Sequence, residues 1–308
     1  MSIPSVIHVC VPASSANLGP GFDVLAVALG LHLRCTLRRA GMGLQITASG
    51  RDSAEIPCDE SNLIWRAFLR LTGGRPKEGL HLEIANEIPL GRGLGSSAAA
   101  IVAGLALANE WAGLGKSKDQ IVEEATEMEG HPDNVAAAVQ GGFVASCIAA
   151  DGGVLSTHIP FRETLQAVLV VPQFQLSTEA AREVLPTGYS RADAVFNLQR
   201  LALLLEALRQ GRGDLLREAM RDRLHQPYRA PLVPGFADIL EMGNSGSVPG
   251  LLGVALSGAG PSVVAFCDSR AAEAGEAIVQ CFRRHGVEAE ARPLPIDREG
   301  LVTEKTDA

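Results

Sequence analysis

Aromatic side chains are scarce: Phe, Trp and Tyr make up only 4% of the 308 residues. A core must therefore be built from Ala, Val, Leu and Ile, and the 46% hydrophobic content supplies enough of them. Long basic runs are missing too, and the net charge is -8, so the chain lacks the electrostatic footprint of a nucleic-acid-binding protein. No window stays apolar for the length that spans a bilayer. No basic N-terminal region leads into an uninterrupted apolar segment, and no Asn-x-Ser/Thr acceptor occurs. The six cysteines, at 10, 35, 58, 147, 267 and 281, form no Cys-x-x-Cys pair. Most lie in apolar runs, where a thiol acts as a small hydrophobe. Neither a disulfide framework nor a zinc knuckle follows, and the expected setting is a reducing one, the cytoplasm. The length leaves room for one large domain or two ordinary ones.

What is present is a glycine loop. Residues 89–100 read Pro-Leu-Gly-Arg-Gly-Leu-Gly-Ser-Ser-Ala-Ala-Ala. Glycine permits positive φ and lets a ligand approach bare backbone amides. The run 98–111 holds strong helix formers and no proline, so the loop is expected to feed a helix N-terminus. Unpaired N–H groups and the positive end of the helix dipole would then point into the loop, a cradle for phosphate. The common nucleotide fingerprints do not fit. A Walker loop closes on Lys-Ser or Lys-Thr, and here the closing pair is Ser96-Ser97. The Gly-Lys-Ser at 115–117 has Glu110 where the first Walker glycine belongs, and the third glycine of a dinucleotide site is displaced. A plain turn before a core helix is the bland alternative.

Around this loop the pattern alternates between strands and helices. Residues 6–11 read as a strand ended by Pro12, and 13–23 are dense in turn formers. Among them Asn17 can donate and accept, while ionised Asp23 only accepts. An Asx turn with a cap fits these residues, and so does a ligand loop in which Asp23 takes an ammonium or hydroxyl group. Residues 24–39 and 44–48 are expected as strands joined by a hairpin turn at Gly41 and Gly43. Apolar positions 63, 64, 67, 68 and 71 predict a helix over 62–72, with Ser61 as its cap. A strand at 80–85 delivers the chain to the loop, and a helix follows from 96 to about 112. Ser117-Lys-Asp-Gln120 is a capping box opening a helix to about Glu129.

That helix ends at Glu127-Met-Glu129-Gly-His131-Pro-Asp133-Asn134. Mg²⁺ beside a nucleoside triphosphate wants one or two carboxylates and a hydroxyl, which makes Glu127 and Ser97 candidates; a solvated helix face is the alternative. Strands at 141–148 and 154–159 close the first half, and 165–171 opens the second. Helices follow at 177–184, 191–209 and 215–224, then an exposed kink at His225-Gln-Pro-Tyr-Arg229. Arg182 and Arg229 would hold a carboxylate bidentately if both faced the loop. A strand at 253–256 runs into Ser257-Gly-Ala-Gly-Pro-Ser262, followed by a strand, a helix at 270–284, a last strand at 287–291 and a frayed tail from Asp297.

Three motifs in fixed order, at 12–23, 89–100 and 257–262, resemble the GHMP small-molecule kinase superfamily. Ser-Ala-Asn17-Leu-Gly-Pro-Gly-Phe-Asp23, Glu129-Gly-His131-Pro-Asp133-Asn134-Val-Ala, Ala-Arg182-Glu-Val-Leu-Pro and His225-Gln-Pro-Tyr-Arg229 are similar to its homoserine kinase branch. The likeness runs from about residue 6 to 267. It implies an α+β, two-domain GHMP kinase fold. An N-terminal ribosomal-protein-S5-like, ATP-binding domain would cover 1–162, and a ferredoxin-like α+β domain over 163–308 would contribute to the substrate pocket.

The resemblance further implies ATP-dependent phosphorylation of the side-chain hydroxyl of L-homoserine, with Mg²⁺, in threonine biosynthesis. Position by position, Pro89, Leu90, Gly91, Arg92, Gly93, Leu94, Gly95, Ser96, Ser97, Ala98 and Ala99 would wrap the phosphates, and Asn62 would meet adenine. Ser97 and Glu127 would hold Mg²⁺, with Glu129 the neighbouring alternative. Asn17, Asp23, His131, Asp133, Arg182 and Arg229 would line the amino-acid pocket, Asp23 toward the ammonium and the arginines toward the carboxylate. Asp133 would position the substrate or act as a base. Ser262 stands where many relatives carry Thr and keeps the hydroxyl. The rivals are a kinase for another small alcohol such as mevalonate, and a non-catalytic metabolite sensor on the same fold. A homodimer is expected, with neither nucleic acid nor membrane as partner.

Overall fold

Alternating apolar residues dominate the first half, and there the computed structural model, which describes residues 6–41, 43–76, 78–162 and 165–306, places its larger sheet. The chain opens with β1 (Val6–Asn17), β2 (Gly21–Ala40) and β3 (Leu44–Gly50), then passes through α1 (Leu63–Thr72) and β4 (Gly79–Asn86) to the glycine loop. Beyond the loop come α2 (Ser96–Ala112), α3 (Lys118–Glu129), α4 (Asp133–Gln140), β5 (Phe143–Ile148) and β6 (Val154–Ile159). The second half begins with β7 (Gln166–Pro172), α5 (Thr178–Glu183), α6 (Arg191–Gln210), α7 (Gly213–Ala219), α8 (Gln226–Arg229) and α9 (Phe236–Ser245). It ends with β8 (Leu251–Leu256), β9 (Val263–Cys267), α10 (Ala271–Arg284), β10 (Ala289–Leu294) and β11 (Val302–Thr306).

The larger sheet has the order β11-β1-β2-β4-β3, with β5 and β6 continuing from β2. The smaller has the antiparallel order β10-β7-β9-β8, the arrangement of a ferredoxin-like unit. Helix α2 is apolar on nearly every side and accordingly runs through the core, packed on α1, β1 and α4. Its Gly104 permits close approach, since a Cβ there would lie 2.2 Å from the Ile64 carbonyl oxygen. The strand β7 is a continuous apolar run because both of its faces are covered. Ala167, Leu169 and Val171 join the large core, while Val168 and Val170 join a second core under α9 and α10. Phe143 and Phe266, with ring centroids 5.5 Å apart, join β5 to β9 across the two halves. No helix among the described residues is long and apolar enough to cross a membrane.

Several sequence expectations differ from the structure. The first strand does not stop at Pro12; a register shift between Pro12 and Ala13 absorbs the proline, and β1 continues to Asn17. Gly41 and Gly43 do not make a hairpin, because β4 occupies the edge of β2 and β3 pairs in parallel with β4. Asn62, not Ser61, caps α1, its Oδ1 accepting the N–H groups of Ile64 and Trp65. The expected helix over 215–224 ends at Ala219, and α4 and α9 were not anticipated. Residues 297–306 of the expected tail are ordered. Asp297 pairs with His32 at 2.9 Å and accepts the Gly300 N–H, which turns the chain back so that β11 pairs with β1. The second expected domain therefore returns its last strand to the first sheet. Residues 1–5, 163–164 and 307–308, at the limits of the two expected domains, lie outside the described residues.

Candidate active site

The glycine loop is shaped by what presses on it. Gly91, Gly93 and Gly95 take φ of 64°, 72° and 65°, the left-handed region that side chains resist. A Cβ on Gly93 would lie 2.2 Å from the Ser257 carbonyl oxygen, and one on Gly95 would lie 2.0 Å from Ser14 Oγ. The three motifs thus meet at bare backbone. Ser257 Oγ donates to the Gly93 carbonyl at 2.7 Å, and Ser14 N–H donates to the Leu94 carbonyl at 3.1 Å. Gly258 N–H reaches the Ala16 carbonyl at 3.1 Å, while Asn17 Nδ2 donates to the Gly258 carbonyl at 2.8 Å. Ser14 Oγ also donates to Asn134 Oδ1 at 2.8 Å, bringing α4 to the same seam.

Gly95 is the N-cap of α2 and has no side chain to offer, so the first-turn amides are left without a cap. That is the chemistry of an anion site. Arg92 is held away by its own contacts, Nε donating to the Pro172 carbonyl at 3.1 Å and Nη1 lying 3.5 Å from Asp52 Oδ2. Asp52 Oδ2 also accepts the Leu90 N–H at 3.0 Å, so Asp52 braces the entrance of the loop. Nothing in the sequence singled out Asp52. Its left-handed φ of 52° and its pairing depend on distant segments.

Ser97 and Glu127, expected together at Mg²⁺ with Glu129 as the alternative, do not meet in the structure. Ser97 Oγ donates to Glu129 Oε2 at 2.7 Å. Residues two apart on a helix are rotated by about 200°, so Glu127 and Glu129 cannot share a face. Glu127 points outward, with its side chain 66% exposed, and pairs with Arg70. Asn62, besides capping α1, donates Nδ2 to the Pro57 carbonyl at 2.7 Å, and it lines an apolar recess beside the loop. Pro89, Ala98 and Ala99 are buried and line neither recess at the loop, whereas Gly91 to Ser97 all line the cleft. Leu90, Leu33, Ile56 and Ile84 wall a second, apolar recess that shares Ser96 and Ser97 with it.

Across the cleft stand Asn17, Asp23, His131, Asp133, Arg182 and Arg229. The two arginines do converge, with guanidinium carbons 5.7 and 5.2 Å from the Phe22 ring centroid. Arg182 meets Asp23 bidentately, at 2.8 and 3.2 Å, so the two expected substrate groups hold each other. Asn17 Oδ1 accepts the Asp23 N–H at 3.0 Å, which fixes the turn. The kink expected to be exposed at 225–229 is so only in part: Pro227 and Tyr228 face solvent, while His225, Gln226 and Arg229 are almost wholly enclosed. Burial first, and the facing charge of Arg182 second, bring the Arg229 guanidinium down to about 10.

Asp133 is only 3% exposed at the start of α4, its Oδ1 accepting the Asn134 N–H at 2.7 Å. His131 Nδ1 lies 3.5 Å from the same Oδ1, and this carboxylate holds the imidazole above its ordinary value against the opposing effect of burial. The interaction is at full strength below the ordinary histidine range, and is lost as the pH rises through the elevated value.

Two family models match the chain: the GHMP kinases N terminal domain over residues 62–142 and the GHMP kinases C terminal over 204–284. Homoserine kinase of Solibacter usitatus is 47% identical over 96% of this chain and 97% of its own. That of Desulfitobacterium hafniense is 45% identical over 96% and 99%. The crystal structure of homoserine kinase from Cytophaga hutchinsonii superposes with a TM-score of 0.85 at 29% identity, covering 99% of both chains. Likeness along nearly the whole length, joined to three motifs meeting at one cleft, makes the chain a member of the homoserine kinase family of GHMP kinases.

Proposed function

We propose that the chain transfers the γ-phosphoryl group of ATP to the side-chain hydroxyl of L-homoserine, giving O-phospho-L-homoserine and ADP in the biosynthesis of threonine. One observation carries this reading: the glycine loop, Glu129 with Ser97, and the Asp23–Arg182–Arg229 cluster all open on a single cleft. The apolar recess beside Ser96 and Ser97 suits a flat base, and the uncapped start of α2 suits phosphates, which supports ATP as the donor. Ser97 and Glu129 offer one hydroxyl and one carboxylate, the donor set that suits Mg²⁺. The ion would supply neutralisation of charge on the transferring phosphates.

The amino-acid end is selected by exchange of partners. Asp23 and Arg182 are each 37% exposed and form an ion pair with one another. A zwitterion replaces both halves at once, its ammonium against Asp23 and its carboxylate against Arg182 and Arg229. A ligand with a carboxylate and no ammonium frees Asp23 without compensating it, and an unpaired, partly desolvated charge is costly. This favours homoserine over mevalonate. Asp133 is fixed by an amide and a neighbouring imidazole where the substrate hydroxyl would arrive, a position suited to orienting that hydroxyl. Since phosphoryl transfer has a loose transition state, orientation and charge stabilisation can supply most of the rate.

The direct test is ADP release with Mg-ATP and L-homoserine, mevalonate, galactose, L-threonine or L-serine offered in turn. Turnover with homoserine well above the other four is expected; silence with homoserine while ATP binds would sink the assignment. Glu129→Gln should lower kcat by about 10²-fold and raise the Mg²⁺ requirement, since it strips a charge that acts at the phosphates. Glu127→Gln should stay within about twofold of wild type, as exposed substitutions do; the reverse ranking would restore Glu127. Asp133→Ala should raise KM for homoserine about tenfold or more while kcat falls less than about tenfold. A loss of about 10²–10⁴ confined to kcat would make Asp133 a general base instead.

A further inference from the structure

His225 lies beneath the amino-acid pocket with its side chain fully buried, and its ring contacts explain why. Nε2 lies 2.8 Å from the Gly19 carbonyl oxygen. A carbonyl only accepts, so Nε2 carries the proton and Nδ1 keeps its lone pair. That lone pair faces Arg229 Nη1 at 3.2 Å, and a guanidinium only donates. The backbone at Gly19 thus selects the tautomer that receives Arg229. Arg229 Nη1 also donates to the Gly258 carbonyl at 3.1 Å, and Nε donates to the Ala181 carbonyl at 3.0 Å. Nη2 is the nitrogen left for a ligand's carboxylate.

The same imidazole stacks on Phe22, with centroids 5.1 Å apart and planes at 20°. Phe22 adjoins Asp23 in the chain, and its ring lies within cation–π range of both arginines. His225 is itself immobilised from behind. Asp222 accepts the N–H groups of Leu224, His225 and Gln226, at 2.8, 3.0 and 2.6 Å.

We infer that His225 is a positioning residue for the amino-acid clamp: Nδ1 aims the Arg229 guanidinium, and the ring holds the Phe22–Asp23 turn against it. This rests on the reading of the cleft proposed above. Burial pushes the imidazole below its ordinary range, which agrees with a neutral acceptor beside a cation. A histidine present only to fill space would leave the substrate end of the kinetics untouched.

The experiment compares wild type, His225→Phe and His225→Asn in steady-state assays with homoserine and ATP varied separately. His225→Phe keeps a stacking ring and deletes the acceptor; His225→Asn returns an oxygen near the position of Nδ1. His225→Phe should raise KM for homoserine about tenfold or more, as loss of a hydrogen bond to a charged group does, with kcat and KM for ATP within about threefold. His225→Asn should recover most of that loss. An unchanged KM for homoserine, a parallel rise in KM for ATP, or no recovery with His225→Asn would overturn the inference. Nitrogen NMR of the wild-type histidines keeps it testable should His225→Phe not fold. A proton on Nε2 and none on Nδ1 is expected, and the opposite tautomer contradicts the geometry. Failure of wild type to turn over homoserine would instead remove the underlying reading, whatever the tautomer.

Discussion

The seam at Gly258 is the constraint on which the cleft depends. Its carbonyl accepts both Asn17 Nδ2 and Arg229 Nη1, and its N–H donates to Ala16. Next to it, the Ser257 hydroxyl bonds the Gly93 carbonyl and lies 2.9 Å from Ser15 Oγ. Three segments far apart in sequence can approach this closely only because Gly93 and Gly95 carry no Cβ. The glycine loop, the Asn17–Asp23 turn and the second half of the chain are therefore not separately adjustable. Buried backbone groups that satisfy one another across such a seam also make it costly to pull apart, since each would lose its partner away from water.

A second constraint is charge. The protein is acidic overall, yet its anion-binding elements are local: an uncapped helix start on one side and two guanidiniums over one aromatic ring on the other. Two cations held so close repel, and that repulsion adds to burial, the larger cause, in lowering the Arg229 guanidinium. Asp23 offsets that repulsion by pairing with Arg182. In the proposed reading, the carboxylate and ammonium of an amino acid would meet the same need from both sides.

What could be read from the sequence was local, and what could not was pairing. The glycine loop, the helix it feeds and the Ser117–Gln120 capping box stand as periodicity and turn chemistry place them. Short-range signals cannot say which strand lies beside which. The parallel β3–β4 ladder, and the return of β11 to β1 through Asp297, were accordingly missed. The site divides in the same way. Asn17, Asp23, His131, Asp133, Arg182 and Arg229, expected together from their motifs, line one cleft. Which of Glu127 and Glu129 stands beside Ser97 depends on which face of α3 meets α2, which composition does not record. His225 read as part of an exposed kink because polar residues beside a proline usually are exposed; here Asp222 and Gly19 satisfy their polar groups inside the protein.

The account stands on the exchange of the Asp23–Arg182 pair for the two charges of an amino acid. A crystal structure with L-homoserine, Mg²⁺ and a non-hydrolysable ATP analogue reads it directly. The ammonium should lie against Asp23 and the carboxylate against Arg182 and Arg229, with Asp23 and Arg182 separated beyond the ~4 Å of an ion pair. Homoserine bound elsewhere in the cleft, with that pair intact, would contradict the account.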